Sequence, residues 1–302
     1  MKKKFHSNGK LLISGEYAIL DGALGLAIPT SYGQSLGLVP TTSGMLDWKS
    51  YDRDGQPWFT AEFDIGSMAI LSTSHQDRAK TLQGLLREAQ RLNPLLMGES
   101  EGIEMEAHLE FPRNWGLGSS STLIDNLAQW ARVDPYALLW NAFGGSGYDI
   151  ACARHNAPIT YRLGAEGAQV REIDFDPIFK DSLYFVHLNE KQSSKEAIEA
   201  YRSLGRDKEK LIQMVTELTQ RFIVAGTLAE FETLMGEHEA LLSGVLGLPP
   251  VKGRLFADYP GMVKSLGAWG GDFVLASGDQ GSWDYFRAKG YPTVIPYGKM
   301  IL

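Results

Sequence analysis

The run Gly116-Leu117-Gly118-Ser119-Ser120-Ser121 has the composition of an anion cradle. Glycines let backbone approach a ligand closely, and a helix opening just after them offers unpaired N–H groups and the positive end of its dipole, which together suit phosphate. The hydroxyls of Ser119, Ser120 and Ser121 add hydrogen-bonding groups or a magnesium ligand. The plain alternative is a strand-to-helix turn in which one serine caps the helix. Two known phosphate loops do not fit: no Gly-Lys-Ser/Thr closes the run, and a dinucleotide fingerprint needs a third glycine where Ser121 stands. A second cluster, Gly144-Gly145-Ser146-Gly147-Tyr148-Asp149-Ile150-Ala151, sets Asp149 just inside a helix, where it can face a ligand or simply favour the helix dipole. The third, Gly267-Ala268-Trp269-Gly270-Gly271-Asp272, reads on its own as a tight turn.

The elements that must carry these clusters are patterned clearly. Ile103, Met105, Ala107, Leu109 and Phe111 alternate with polar residues, a strand buried on one face that runs straight into Pro112 and the glycine-serine run. Helices follow at about 120–132, at 135–143 behind Asp134-Pro135, and from near Gly147. Earlier, Lys10–Ser14 and Leu24–Ile28 read as short strands, and Leu82, Leu85, Leu86 and Ala89 give 79–92 a helical period ended by Asn93-Pro94. Strands are expected at 158–163, 170–173, 183–188, 272–276 and 293–296, a helix at 282–289, and mainly helix from the capping-box residues Ser193-Ser194-Lys195-Glu196 to Leu246. This strand-rich first half and helix-rich second half predict an α+β chain of two domains, divided near 163–167 into 1–165 and 166–302.

Composition excludes several classes of function. With 36 acidic and 29 basic residues the net charge is −7, so no global positive field gathers nucleic acid. The 44% hydrophobic content rules out intrinsic disorder, and no stretch approaches the roughly 18–20 apolar residues of a membrane span. A single cysteine, Cys152, forms no internal disulfide, and the polar start Met1-Lys2-Lys3-Lys4 lacks an apolar signal segment; a cytoplasmic protein is expected. Glycine is in excess, 33 residues, and clusters in the motifs above.

Three signatures stand in one order: Asn8-Gly9-Lys10-Leu11-Leu12-Ile13-Ser14-Gly15-Glu16-Tyr17, then Pro112 with Gly116–Ser121, then Gly267–Asp272. Together they resemble the GHMP kinase superfamily of galactokinase, homoserine kinase, mevalonate kinase and phosphomevalonate kinase, over residues 8–277. Within the group, Lys10, Gly145–Ala151 with Ile159–Arg162, and Glu190–Glu196 look most like the phosphomevalonate kinase branch. The resemblance implies a two-domain GHMP kinase fold, with an N-terminal ribosomal-protein-like α/β domain that binds ATP and a C-terminal ferredoxin-like α+β domain. It further implies ATP as phosphoryl donor, Mg2+, and a small anionic acceptor, phosphomevalonate before mevalonate, in a monomer or homodimer.

By the same resemblance Pro112, Gly116, Leu117, Gly118, Ser119, Ser120 and Ser121 hold the triphosphate, and Ser119 or Ser120 with Asp149 holds magnesium. Asp149 and Lys10, close together in the family fold, act on the acceptor oxygen and the transferring group. Lys10, Glu16, Ser146, Gly147, Ser194, Lys195, Gly270, Gly271 and Asp272 are the acceptor-binding candidates. Arg113 and Arg154 are further anion-binding candidates against the commoner fate of surface arginine, and His187 reads as structural. Two departures stand out. Trp269 occupies a position where the family usually has glycine, and Leu138, Leu139 and Trp140 fill the region where mevalonate kinases carry a magnesium-binding glutamate. A kinase of a sugar or amino-acid alcohol, and a non-catalytic nucleotide or metabolite binder, are the competing readings. Trp269 favours the binder; retention of Lys10 and Asp149 opposes it.

Overall fold

The computed structural model describes residues 3–98, 101–190, 199, 201–203, 207–267, 269, 271–279 and 281–302. It is a mixed α+β structure that divides into two compact units, each discontinuous in sequence: Met1–Gly9, Tyr32–Arg113 and Leu117–Arg154 in the first, and Lys10–Ser31, Asn114–Gly116 and His155–Leu302 in the second. Two long strands, β1 (Lys3–Ser14) and β2 (Gly25–Pro40), run through both. Sequence periodicity picks out only the apolar parts of these strands. Pro29 lies inside β2, between the residues 25–27 that pair with one neighbour and the residues 34–40 that pair with another, where its missing N–H interrupts neither ladder.

In the first unit β3 (Met45–Tyr51), β4 (Pro57–Asp64), β5 (Ile70–Thr73) and β6 (Ile103–Leu109) form sheet with the second part of β2. Strand β6 pairs antiparallel with β2 and parallel with β3, and its residues alternate strictly between buried and half-buried, as the sequence predicts. The buried face of the sheet packs on α1 (Gln76–Leu92), α2 (Ser119–Ala131) and α3 (Pro135–Ala142) around Leu36, Trp48, Phe63, Leu86 and Leu127, all fully buried. Helix α3 opens as the Asp134-Pro135 signal requires, with the Asp134 carboxylate accepting from the Tyr136 N–H. Helix α4 (Tyr148–Arg154) packs on α2.

The second unit holds β7 (Ile159–Gly164) and β8 (Gly167–Glu172) beside the first part of β2, and an antiparallel sheet in the order β10 (Val263–Ser265), β11 (Phe273–Ser277), β9 (Leu183–His187), β12 (Val294–Pro296). Two long helices follow β9 in the chain, α5 (Asp207–Val224) and α6 (Leu228–Leu246), then the short α7 (Val251–Leu255), α8 (Ser282–Ala288) and α9 (Tyr297–Met300). Thr227 caps α6 through the Glu230 N–H, and Gly247 closes it in the left-handed conformation. No helix among the described residues is long and apolar enough to cross a membrane.

Gly15, in the turn after β1, has φ +119°, and a Cβ there would stand 2.8 Å from the Gly25 Cα. Backbone meets backbone at this point, so the neighbour has no side chain to swing aside. Gly15→Ala is expected to lower unfolding free energy by more than about 1 kcal/mol; an unchanged denaturant midpoint would show that the turn tolerates a side chain.

Candidate functional site

The first unit carries the start of the glycine-serine helix. Gly118, at φ 87°, is the N-cap of α2 and supplies no side-chain cap; the three serines are the first helical residues. The alternative of a serine cap is therefore not the arrangement adopted. The N–H groups of the first turn have no intrahelical acceptor, and the positive end of a helix of 13 residues lies behind them. Ser120 is exposed, Ser119 and Ser121 half-buried, and Leu117 fully buried. Pro112 is half-buried ahead of the loop.

Buried polar contacts hold α2 in place. Thr122 Oγ1 donates to Gln34 Oε1 at 2.6 Å, and Asn126 Nδ2 donates to the Gln34 carbonyl at 2.8 Å, tying the helix to β2. Asp125, fully buried, accepts from Ser7 Oγ at 2.7 Å and Gln129 Nε2 at 2.8 Å. Arg154, at the end of α4, brings its Nε to 3.7 Å from Asp125 Oδ1, so this arginine links α4 to α2. Arg113 lies over the Trp58 ring at 4.8 Å. Asp149 stands half-buried in the first turn of α4, behind Ser146, which is 5% exposed, and the buried Gly147.

Gly116 belongs to the second unit, and its place is set by Asp272. A Cβ on Gly116, at φ 64°, would lie 1.9 Å from the Asp272 Oδ2, so only glycine admits the carboxylate there. Burial pushes the Asp272 carboxyl upward, while Lys10 first and His187 second pull it back. The backbone at 271–272 is bonded to the end of β9: Leu188 N–H donates to Asp272 O at 2.9 Å and Glu190 N–H to Gly271 O at 3.3 Å. His187 Nε2 lies 3.0 Å from the Asn114 carbonyl oxygen, and its ring packs on Phe273, which Trp115 meets edge-on. His187 is thus a packed residue of this turn, in keeping with the structural reading. Lys10 is half-buried on β1, within the field of Asp272.

Glu16 has no exposure, and its partners were not anticipated. Its Oε1 accepts from Lys264 Nζ at 2.7 Å, and its Oε2 lies 3.1 Å from His238 Nε2 in an alignment too poor for a hydrogen bond. Lys264 and His238 are likewise fully buried. The neighbouring Glu239 accepts from Ser265 N–H at 2.9 Å and Ser265 Oγ at 3.2 Å. Burial works to raise the Glu16 carboxyl, but Lys264 and His238 outweigh it and hold it below the usual range. Burial and then the Lys264 ammonium keep His238 below its ordinary value, against the pull of Glu16, and burial raises Glu239. The geometry therefore describes one ion pair, Glu16 with Lys264, beside groups pushed toward their neutral forms. Of this cluster only Glu16 is a candidate in the sequence, as part of the first signature; His238, Glu239 and Lys264 stand in no motif.

Of the remaining candidates, Ser194, Lys195 and Gly270 lie outside the described residues. Trp269 is 4% exposed and holds φ 56° in an aromatic cluster with Tyr17 and Tyr201. Among the described residues no group of three or more His, Cys, Asp or Glu side chains is disposed to hold a metal ion. A magnesium shell built from a serine hydroxyl and Asp149 alone would leave most positions to water and phosphate oxygens, which suits that ion.

By sequence, no family model and no curated protein matches the chain. Its fold, in contrast, is shared with solved structures. The mevalonate kinase of Methanococcus jannaschii matches with a TM-score of 0.71 at 13% identity, over 97% of this chain and 96% of that one. Streptococcus pneumoniae phosphomevalonate kinase, solved in complex with phosphomevalonate and AMPPNP, matches at 0.69 and 16% over 95% of each chain. Lactococcus lactis galactokinase complexed with galactose matches at 0.65 and 14%, over 98% of this chain and 94% of that one. The two-domain α+β fold of GHMP kinases, implied by the three signatures, is the fold of this protein.

The buried pair makes stability depend on both partners. Lys264→Met is expected to cost about 3–5 kcal/mol by leaving the Glu16 charge unmatched, and Glu16→Gln/Lys264→Met to recover much of it; denaturant melts that rank the double variant below the single would refute the pairing. The pH dependence has a definite sign. His238 is depressed from 6.5, so the unfolded chain binds that proton first and stability falls as pH drops through about 6.5; Glu16, depressed from 4.5, adds a further loss below that value. Glu239, raised by burial, works in the opposite direction in the acid range. Thermal melts from pH 8 to 5 compared with those of His238→Gln should show a smaller slope in the variant.

Proposed function

We propose that this protein is a cytoplasmic, ATP-dependent small-molecule kinase of the GHMP type, which transfers the γ-phosphoryl group of ATP to an isoprenoid-pathway acceptor, phosphomevalonate first and mevalonate next. The observation that carries this reading is the start of α2: a helix of 13 residues whose N-cap, Gly118, offers no side chain, with serines at its first three positions. Such an end suits an anion because its free N–H groups and dipole are left for a ligand. The neighbour solved with phosphomevalonate and AMPPNP supports the choice of acceptor and donor.

Phosphoryl transfer asks a protein mainly for positioning and charge neutralisation. When bound, ATP would supply the phosphoryl group and Mg2+ would neutralise charge on its oxygens. On this reading Gly116, Gly118 and Ser119–Ser121 bind the triphosphate, with Ser119 or Ser120 and Asp149 as the protein ligands of the metal. Asp149 orients the acceptor oxygen and takes its proton if that oxygen is a hydroxyl; a phosphate acceptor is already anionic near neutral pH and needs no base. Lys10 stabilises charge on the transferring group. Ser146, Gly147, Gly271 and Asp272, with Ser194, Lys195 and Gly270, are assigned to the acceptor, and Glu16 to holding the first signature in place through its pair with Lys264.

ATP-to-ADP turnover on phosphomevalonate, mevalonate, galactose and homoserine tests the reading directly. Activity is expected on one of the first two, with Asp149→Asn lowering kcat about 10²–10⁴-fold where the acceptor is a hydroxyl and less where it is a phosphate. No turnover on any of the four, or full activity in Asp149→Asn, overturns the mechanism. Ser120→Ala is expected to raise the KM for magnesium-ATP about tenfold; unchanged nucleotide kinetics would remove the loop assignment.

A further inference from the structure

At the end of α2 remote from the glycine-serine run, the first unit holds a cleft of 390 Å³ lined entirely by its own residues. Leu38 of β2, Ile103 of β6, Leu96 and Trp130 of α2 form its apolar walls, and all four belong to the layer between the sheet and its helices. Lys3 of β1 and Arg132, just past α2, are the exposed cations of the lining. Trp130 follows Ser119 by eleven helical residues, which sets the cleft about 16 Å along the helix axis from the candidate phosphate site.

Local bonds build this concavity. Asn93, the C-cap of α1, donates from Nδ2 to the Ala131 carbonyl at 2.7 Å and accepts the Leu95 N–H on Oδ1 at 3.1 Å, which fastens the turn 93–96 to the end of α2. That turn holds Leu95, another lining residue, 83% exposed, so an apolar side chain is left to water beside the opening. Arg132 has φ 54°, where glycine or asparagine usually ends a helix, so its charge is placed here against backbone preference. The chain carries 36 acidic residues against 29 basic ones, yet no carboxylate lines the cleft. Lys3, Arg132 and the Trp130 indole N–H have no partner among the described residues. Lone surface cations are common; two that converge with an indole donor on one apolar cleft call for a negative charge that the protein does not supply.

We infer that this cleft binds a phosphate monoester of an apolar alcohol, with its chain against Leu38, Leu96 and Ile103 and its phosphate between Lys3 and Arg132. The site is separate from the proposed kinase centre and does not rest on that reading. An ionised phosphate accepts hydrogen bonds, and the three groups that face it only donate. The walls favour an alkyl chain and offer no polar partner to a polyol. A volume of 390 Å³ falls within the range of small-ligand clefts, about 300–1,000 Å³.

The test is calorimetric titration of the full chain with decyl phosphate below its micelle concentration, beside decanoate, decanol, decyltrimethylammonium and inorganic phosphate. Saturable binding of decyl phosphate is expected, weaker for decanoate and at least about tenfold weaker for the neutral, cationic and chainless probes. By NMR the Trp130 indole N–H resonance, identified by its loss in Trp130→Phe, is expected to shift during the same titration. Lys3→Gln and Arg132→Asn are each expected to weaken binding about threefold and together about tenfold, and added salt to weaken the native chain more than the double variant. Both positions are exposed and asparagine suits the φ at 132, so melting temperature is expected to hold or rise. Leu96→Trp, which fills the cleft, is expected to abolish binding; if that chain fails to fold, the charge variants decide. Equal affinity for decanol, a Trp130 resonance that stays in place at saturation, or a double charge variant that binds like the native chain overturns the assignment, as does no binding of decyl phosphate up to about 1 mM. Attachment only to vesicles containing phosphatidic acid, without binding of the soluble probe, gives the cations to a membrane surface and overturns it too.

Discussion

Glu16 has no route to water, so its negative charge must be met inside the protein, and Lys264 meets it at 2.7 Å. Neither residue is tolerable there alone, because an unmatched charge in a packed interior costs several kcal/mol. That requirement ties the turn after β1 to β10 and sets its backbone. With Glu16 fixed, Gly15 is pressed against Gly25, and Tyr17 is held in a conformation it would not choose in isolation. The side chains around the pair adapt to it. His238 is kept neutral by burial and by the ammonium, and Glu239 spends its oxygens on the Ser265 backbone and hydroxyl rather than competing for Lys264.

A comparable economy governs the glycine-serine segment. Overall charge is −7, which by itself disfavours an anionic ligand, but charges beyond about 8–10 Å are screened while donors at contact range are not. The start of α2 concentrates such donors, because its cap is a glycine whose lack of a side chain leaves the first turn unclaimed. Polar residues that might otherwise gather there are engaged elsewhere: Thr122 and Asn126 with Gln34, and Asp125 with Ser7, Gln129 and Arg154. In the second unit the Asp272 carboxylate presses on Gly116 with Lys10 and His187 near enough to temper its burial, so the third signature is built around a carboxylate rather than around bare backbone.

Likeness of fold at 13–16% identity explains why sheet and helix order match those of mevalonate, phosphomevalonate and galactose kinases while the acceptor does not follow from it. A shared backbone arrangement serves many acceptors, and discrimination rests on a few side chains at the turns. Trp269 holds φ 56°, a conformation that glycine adopts without strain, and its indole is buried in one cluster with Tyr17 and Tyr201.

Local pattern determined much of this protein. The alternation from Ile103 to Phe111, the helical face of Leu82, Leu85, Leu86 and Ala89, and the Asp134-Pro135 start are each visible because burial on one side of an element imposes a period on its own residues. The glycine clusters were legible for a similar reason, since turns of unusual backbone conformation select their residues locally. Only the tertiary structure decided what those residues meet. Glu16 and Lys264 are 248 positions apart, Ser14 and Thr219 205, and nothing in the short run Val263-Lys264-Ser265 says that its lysine is fully buried against a carboxylate from the first strand's turn. Nor does Gly118-Ser119 say which residue will cap the helix, because that is settled by the φ the loop adopts between β6 and α2. Periodicity records whether a side chain leaves water; the partner it finds depends on packing between elements distant in the chain.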